Sequence, residues 1–164
     1  MKNLWLIGRL RRALLLSVTA FVTMLGFVTL GAGQANANGP IQLRSRLGDV
    51  CLDTPGAPLL APIVINPCNG TNFQRWNLID NQQIESAAYP GNCLSTPNTD
   101  QLFSTILAPC MNLYSQHWSI QPNGLLKYTL GACLAVEGGP GPGTWVAIRW
   151  CNDQAPDQLW DSVS

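Results

Sequence analysis

The sequence predicts an all-β fold built from three copies of one unit, and three observations carry that prediction. Gln-x-Trp occurs as Gln74-Arg75-Trp76, Gln116-His117-Trp118 and Gln158-Leu159-Trp160, with 42 residues from each glutamine to the next. A fixed period of this size defines the architecture before any single element is assigned. The six cysteines fall into three pairs at separations of 17, 17 and 18 residues. Beyond the first 37 residues no stretch has a convincing helical period. Short apolar runs punctuated by Gly, Pro and Asn clusters take its place, and these read as strands and turns.

Residues 1–37 stand apart from the repeats. Lys2, Arg9, Arg11 and Arg12 form a basic start, an uncharged and mostly apolar run extends from Ala13 to Ala32, and Ala35-Asn36-Ala37 supplies a small-x-small cleavage pattern. This is the organisation of a signal peptide, expected to be removed after Ala37. An uncleaved anchor is the competing reading, since about 20 apolar residues can span a bilayer. Cleavage leaves residues 38–164 as one domain with no further membrane contact. The expected location is outside the cell or at its surface.

The mature part has five Lys and Arg against nine Asp and Glu, a formal charge of −4. A mildly acidic chain lacks the clustered cations that phosphate binding needs, which argues against nucleic acid. All six cysteines lie in this part, and each pair precedes a Gln-x-Trp by six or seven residues. Spacing therefore predicts one disulfide per repeat, Cys51–Cys68, Cys93–Cys110 and Cys133–Cys151, in keeping with an oxidising compartment. A zinc site is the alternative use of cysteine. Without a close Cys-x-x-Cys, and with His117 as the sole histidine, no metal or other cofactor is expected.

The units follow in order. The first, about 41–82, holds Cys51-Leu52-Asp53, a β-rich run from Ile63 to Cys68, and Gln74-x-Trp76. The second, about 83–124, holds Cys93-Leu94-Ser95, the run Thr105 to Cys110, and Gln116-x-Trp118. The third, about 125–164, holds Cys133-Leu134-Ala135, the run Val146 to Cys151, and Gln158-x-Trp160. Each reads as four short strands.

Three units of this composition resemble the ricin B-type lectins, and the resemblance covers essentially all of 41–164. With its leader, the chain looks most like the small secreted ricin-type lectins of mycobacteria. The resemblance implies a β-trefoil with pseudo-threefold symmetry, and binding of galactose-like or other sugars. In such a fold Trp76, Trp118 and Trp160 meet in one shared core. The glutamine two residues earlier, on the same strand face, ties the adjoining loop through its amide. Gln-x-Trp is then a folding motif first.

The family holds sugar with the residue after Cys-Leu, an aromatic two before the second cysteine, and the residue before the glutamine. The corresponding residues here are Asp53, Asn66 and Phe73 in the first repeat, Ser95, Ala108 and Ser115 in the second, and Ala135, Arg149 and Asp157 in the third. No repeat is complete. The first keeps the acid, so Asp53, Asn66, Asn69, Asn72 and Gln74 are its candidate sugar-binding residues, with Phe73 as an off-register aromatic face. Trp150 and Asp157 are the secondary candidates in the third repeat, where Trp145 and Glu137 could also contribute.

Catalysis is not expected. Glycoside hydrolysis needs two carboxyl groups at a set separation, and the acids here follow no repeat logic. Nothing near His117 reads as a nucleophile elbow. The expected function is non-catalytic recognition of carbohydrate. The alternative is a protein-binding or inhibitor-like trefoil with degenerate sugar sites.

Overall fold

The computed structural model describes residues 39–56, 59–97 and 104–164; the predicted leader, 1–37, lies outside the described residues. Twelve strands run in chain order, four to each repeat as the sequence predicts. The first repeat contributes β1 (Ile41–Ser45), β2 (Val50–Asp53), β3 (Val64–Pro67) and β4 (Arg75–Ile79). The second contributes β5 (Gln83–Ser86), β6 (Asn92–Ser95), β7 (Ile106–Pro109) and β8 (Trp118–Ile120). The third contributes β9 (Leu126–Tyr128), β10 (Ala132–Val136), β11 (Thr144–Trp150) and β12 (Trp160–Val163).

The first and last strands of each repeat make the body. β1 pairs with both β4 and β12, β4 with β5, and β8 with β9, all antiparallel. Two seams are closed by other means. Leu125 bridges Leu159, and the Trp160 N–H donates to the Gly124 carbonyl at 2.8 Å, which joins the third repeat's ends. Between β5 and β8 the Gln83 side-chain amide donates to Gln116 Oε1 at 2.8 Å.

The middle strands form three hairpins, β2–β3, β6–β7 and β10–β11, which meet at the pseudo-threefold axis. A closed ring of backbone hydrogen bonds marks that axis. Ile63 N–H donates to Thr105 O (3.0 Å), Thr105 N–H to Val146 O (2.9 Å), and Val146 N–H to Ile63 O (3.3 Å). These residues hold the same place in their repeats, so each satisfies one otherwise orphaned buried amide in its neighbour.

Packing explains why the two sequence motifs travel together. Trp76, Trp118 and Trp160 are buried, and their indole N–H groups donate to the carbonyls of Leu52, Leu94 and Leu134 at 3.1, 2.9 and 3.1 Å. Those leucines are the centres of the three Cys-Leu-x motifs and are themselves wholly buried. Each repeat thus inserts an aromatic and satisfies its polar edge with the backbone of its own second strand. The disulfides are Cys51–Cys68, Cys93–Cys110 and Cys133–Cys151, one per repeat as the spacing predicts.

One local expectation is corrected. The motif glutamines do not lie two positions along the tryptophan strand. They end short 3-10 turns, Asn72–Gln74, Tyr114–Gln116 and Pro156–Gln158, that precede it. From that turn the buried amide faces the loop after the second cysteine. Gln74 Oε1 accepts from Asn69 N, Gln116 Oε1 from Met111 N, and Gln158 Oε1 from Asn152 N, at 2.7–2.8 Å. The matching Nε2 groups donate to the carbonyls of Pro67, Pro109 and Trp150.

Candidate functional site

Asp53 ends β2 on the outer face of its hairpin and is only 4% exposed. Its Oδ2 accepts from Gln74 Nε2 at 2.9 Å and from Asn66 Nδ2 at 3.1 Å. Its Oδ1 is buried and has no hydrogen-bond donor among the described residues. Asn66 works in two directions, because its Oδ1 accepts from the backbone N–H of Gly143 at 3.0 Å. Gly143 has a φ of +77° in the turn before β11, so the third repeat reaches into the first repeat's candidate site through a backbone donor. The sequence gives no sign of that contact, since it depends on pairing between repeats.

Gln74 is wholly buried. Its Nε2 donates to Asp53 and Pro67, and its Oε1 accepts from Asn69 N and Gln42 Nε2 (3.3 Å), which uses the amide's full capacity inside the protein. Asn69 is exposed, and its Oδ1 accepts from the Thr71 N–H and hydroxyl at 3.0 and 2.7 Å, an Asx turn that shapes the loop. Asn72, also exposed, opens the 3-10 turn. Phe73 is partly exposed, with its ring 5.9 Å from that of Tyr89.

The other repeats serve as internal controls. Gln116 and Gln158 make the same loop tie, although their hairpins carry Ser95 and Ala135 where the first carries Asp53. The tie therefore does not require a carboxyl. In the third repeat Arg149 is engaged by Glu137 at 2.6 Å, and Asp157 sits half-buried in its 3-10 turn. Trp150 is 86% exposed and stands over a cleft of about 400 Å³ with Tyr128, Leu130, Ala132 and Ile148. Trp150 and Asp157 are not brought to the Asp53 cluster by the strand pairing, in which β11 meets β3 through Thr144 and Trp145.

Three disulfide-stapled hairpins closed around a pseudo-threefold axis define the class of β-trefoils. The chain belongs to the ricin-type β-trefoil lectin domain family, whose description it matches over residues 39–162. It is 54% identical over 163 residues, 99% of both chains, to uncharacterized proteins of Mycobacterium tuberculosis (strain ATCC 25618 / H37Rv) and Mycobacterium bovis (strain ATCC BAA-935 / AF2122/97). Among solved structures it resembles the earthworm R-type lectin C-half in complex with GalNAc, with TM-score 0.67 and 13% identity over 77% of this chain and 98% of that one. It also resembles a non-toxic bitter gourd (Momordica charantia) homologue of type II RIPs in complex with α-methyl-D-galactoside. There the TM-score is 0.69 and the identity 16%, over 77% of this chain and 49% of that one. At such identities these likenesses establish the fold alone.

Proposed function

We propose that the protein is a secreted lectin that binds glycans without catalysis, and that the outer face of the first repeat carries its main site. The observation behind this reading is the unmatched Oδ1 of Asp53. A buried oxygen without a donor costs about 1–3 kcal/mol, and the two sibling repeats show that the loop tie does not need that acid. A sugar hydroxyl supplies the missing donor. Asn66, Asn69 and Asn72 furnish amide groups around it, and Gln74 holds the carboxyl in place.

The binding is weak for a single sugar. Oδ1 has almost no accessible area, so a hydroxyl must displace covering atoms before it bonds. A monosaccharide affinity near millimolar, about 4 kcal/mol, is expected. Clustered glycans then raise the effective strength through avidity. Galactose-like sugars are the first class to try, because the bitter gourd and earthworm relatives carry a galactoside and GalNAc. Secretion follows from the basic, apolar, Ala-x-Ala leader and is supported by three disulfides, which persist in oxidising surroundings.

A second reading, binding of a protein partner, draws on the apolar cleft beneath Trp150. A glycan array with the purified protein separates the two. Signals on galactose-terminated or related glycans support the lectin reading, and a blank array together with blank NMR titrations of galactosides, mannosides and arabinosides would reject it.

A further inference from the structure

The first repeat lacks an aromatic residue at its plate position, where Asn66 stands, and a pyranose bound only by hydrogen bonds has nothing under its apolar face. Strand pairing between repeats supplies one. In the β2–β3–β11 sheet Asp53 is directly opposite Val64, and Val64 is directly opposite Trp145. Residues directly opposite one another on antiparallel strands point to the same face, and residues two apart on one strand do so as well. Leu52 and Ile65 fill the core, so Asp53, Val64, Asn66 and Trp145 share the opposite side of the sheet, where Trp145 is exposed, Asn66 partly so, and Asp53 and Val64 are covered. Two strand spacings separate Asp53 from Trp145, roughly 10 Å between their backbones. Asp53 and Val64 are covered, so a sugar ring of that span rests on Trp145 and Asn66 once the atoms over the carboxyl move aside, as the weak binding proposed above already requires.

The symmetry of the fold makes this row a controlled comparison. The equivalent row of the second repeat is Ser95, Ile106 and Pro62, and that of the third is Ala135, Ala147 and Ser104. All three rows have the same cross-repeat geometry. One alone combines a carboxyl with an aromatic ring, and that ring is 55% exposed. The Gly143 N–H on Asn66 Oδ1 fixes the same inter-repeat seam two positions along, so the two halves of the face are held in register.

We infer that Trp145, donated by the third repeat, is the aromatic plate of the first repeat's sugar site, which therefore spans two repeats. The inference rests on the lectin reading above and deepens it. A flat indole beside a single acceptor selects sugars with one continuous C–H face next to adjacent hydroxyls. Phe73, on the loop that precedes β4, is the rival plate and lies outside this row.

The test is an NMR titration of purified protein with methyl α-D-galactoside, methyl α-D-mannoside and methyl α-D-arabinofuranoside, following indole N–H resonances. Trp145→Ala, Trp145→Phe, Phe73→Ala and Asp53→Asn are compared with the unaltered chain after each is shown to melt cooperatively. The expected result is a shift of the Trp145 indole on binding, a loss of about tenfold or more in affinity for Trp145→Ala, and substantial recovery in Trp145→Phe. Phe73→Ala is expected to stay within about twofold of the unaltered chain. Binding that survives Trp145→Ala but is lost in Asp53→Asn overturns the plate and leaves the lectin reading intact. A loss confined to Phe73→Ala and Asp53→Asn moves the plate to Phe73 and also overturns it. If the unaltered chain binds none of the three sugars and a glycan array is blank, both readings fall together.

Discussion

Gln74 donates to Asp53 at 2.9 Å, yet Gln116 and Gln158 complete the same loop tie beside a serine and an alanine. The acid is therefore an addition to the fold, placed where its Oδ2 is saturated and its Oδ1 is not. Asp53→Ala is expected to cost about 1–3 kcal/mol without unfolding the chain, because a bare buried oxygen leaves but one amide hydrogen each on Gln74 and Asn66 loses its acceptor. Sugar binding is expected to vanish in the same variant. Urea melts and sugar titrations on one preparation check both halves, and an Asp53→Ala chain that unfolds would make the residue structural.

The three core tryptophans carry a different prediction. Trp→Ala at 76, 118 or 160 removes a buried aromatic and leaves a Leu carbonyl without its donor, so each is expected to cost about 3–5 kcal/mol. Trp145→Ala, at a half-exposed position, is expected to stay within about 1 kcal/mol. Chemical denaturation of the four variants gives the ranking. A Trp118→Ala chain more stable than Trp145→Ala would contradict the repeat packing.

Much of this architecture is legible in the sequence because three copies report on one another. The equal glutamine spacing sets the repeats, and the near-equal cysteine spacing sets the disulfides. What the sequence hides lies between repeats. Trp145 belongs to the third unit by numbering and to the first unit's outer face by pairing with Val64, a relation that β11–β3 register alone creates. Gly143 reaches Asn66 in the same way. The 3-10 turns that carry the motif glutamines are too short to leave a periodic signal, so an alternating strand pattern extends through them on paper.

Gly124 gives a backbone prediction. It has a φ of +97°, and a Cβ there would lie 2.9 Å from Arg46 Nη2. The exposed Arg46 side chain is held by Asp161 at 2.7 Å and donates to Asn123 O at 3.2 Å, contacts that it gives up if it moves aside. Gly124→Ala is expected to lose about 1–3 kcal/mol through left-handed strain and the displaced guanidinium together. Adding Arg46→Ala relieves only the steric part. Thermal melts of the single and double variants should therefore show partial recovery, and full recovery would mean that strain contributes nothing.

The glutamine ties lead to a graded prediction. Gln74 accepts a side-chain amide from Gln42, and Gln116 accepts one from Gln83, in addition to the loop N–H that each motif glutamine binds. At the third repeat's seam the corresponding link is made by backbone instead, through the Leu125–Leu159 bridge and the Trp160 N–H on Gly124 O. Substituting a motif glutamine with alanine strands a loop N–H and a carbonyl in each repeat, at a cost of about 1–3 kcal/mol. In the first two repeats it also strands the partner glutamine's amide. At the β5–β8 seam Gln83 reaches the turn that precedes β8 through Gln116, so the loss there weakens that seam. Gln158→Ala, which breaks two side-chain hydrogen bonds where Gln116→Ala breaks three and Gln74→Ala four, is therefore expected to be the mildest of the three. Urea denaturation of the three variants, with amide exchange at Met111 and Asn152 as a local readout, tests the order. If Gln158→Ala were the most destabilising, the seams would not be closed in the way described.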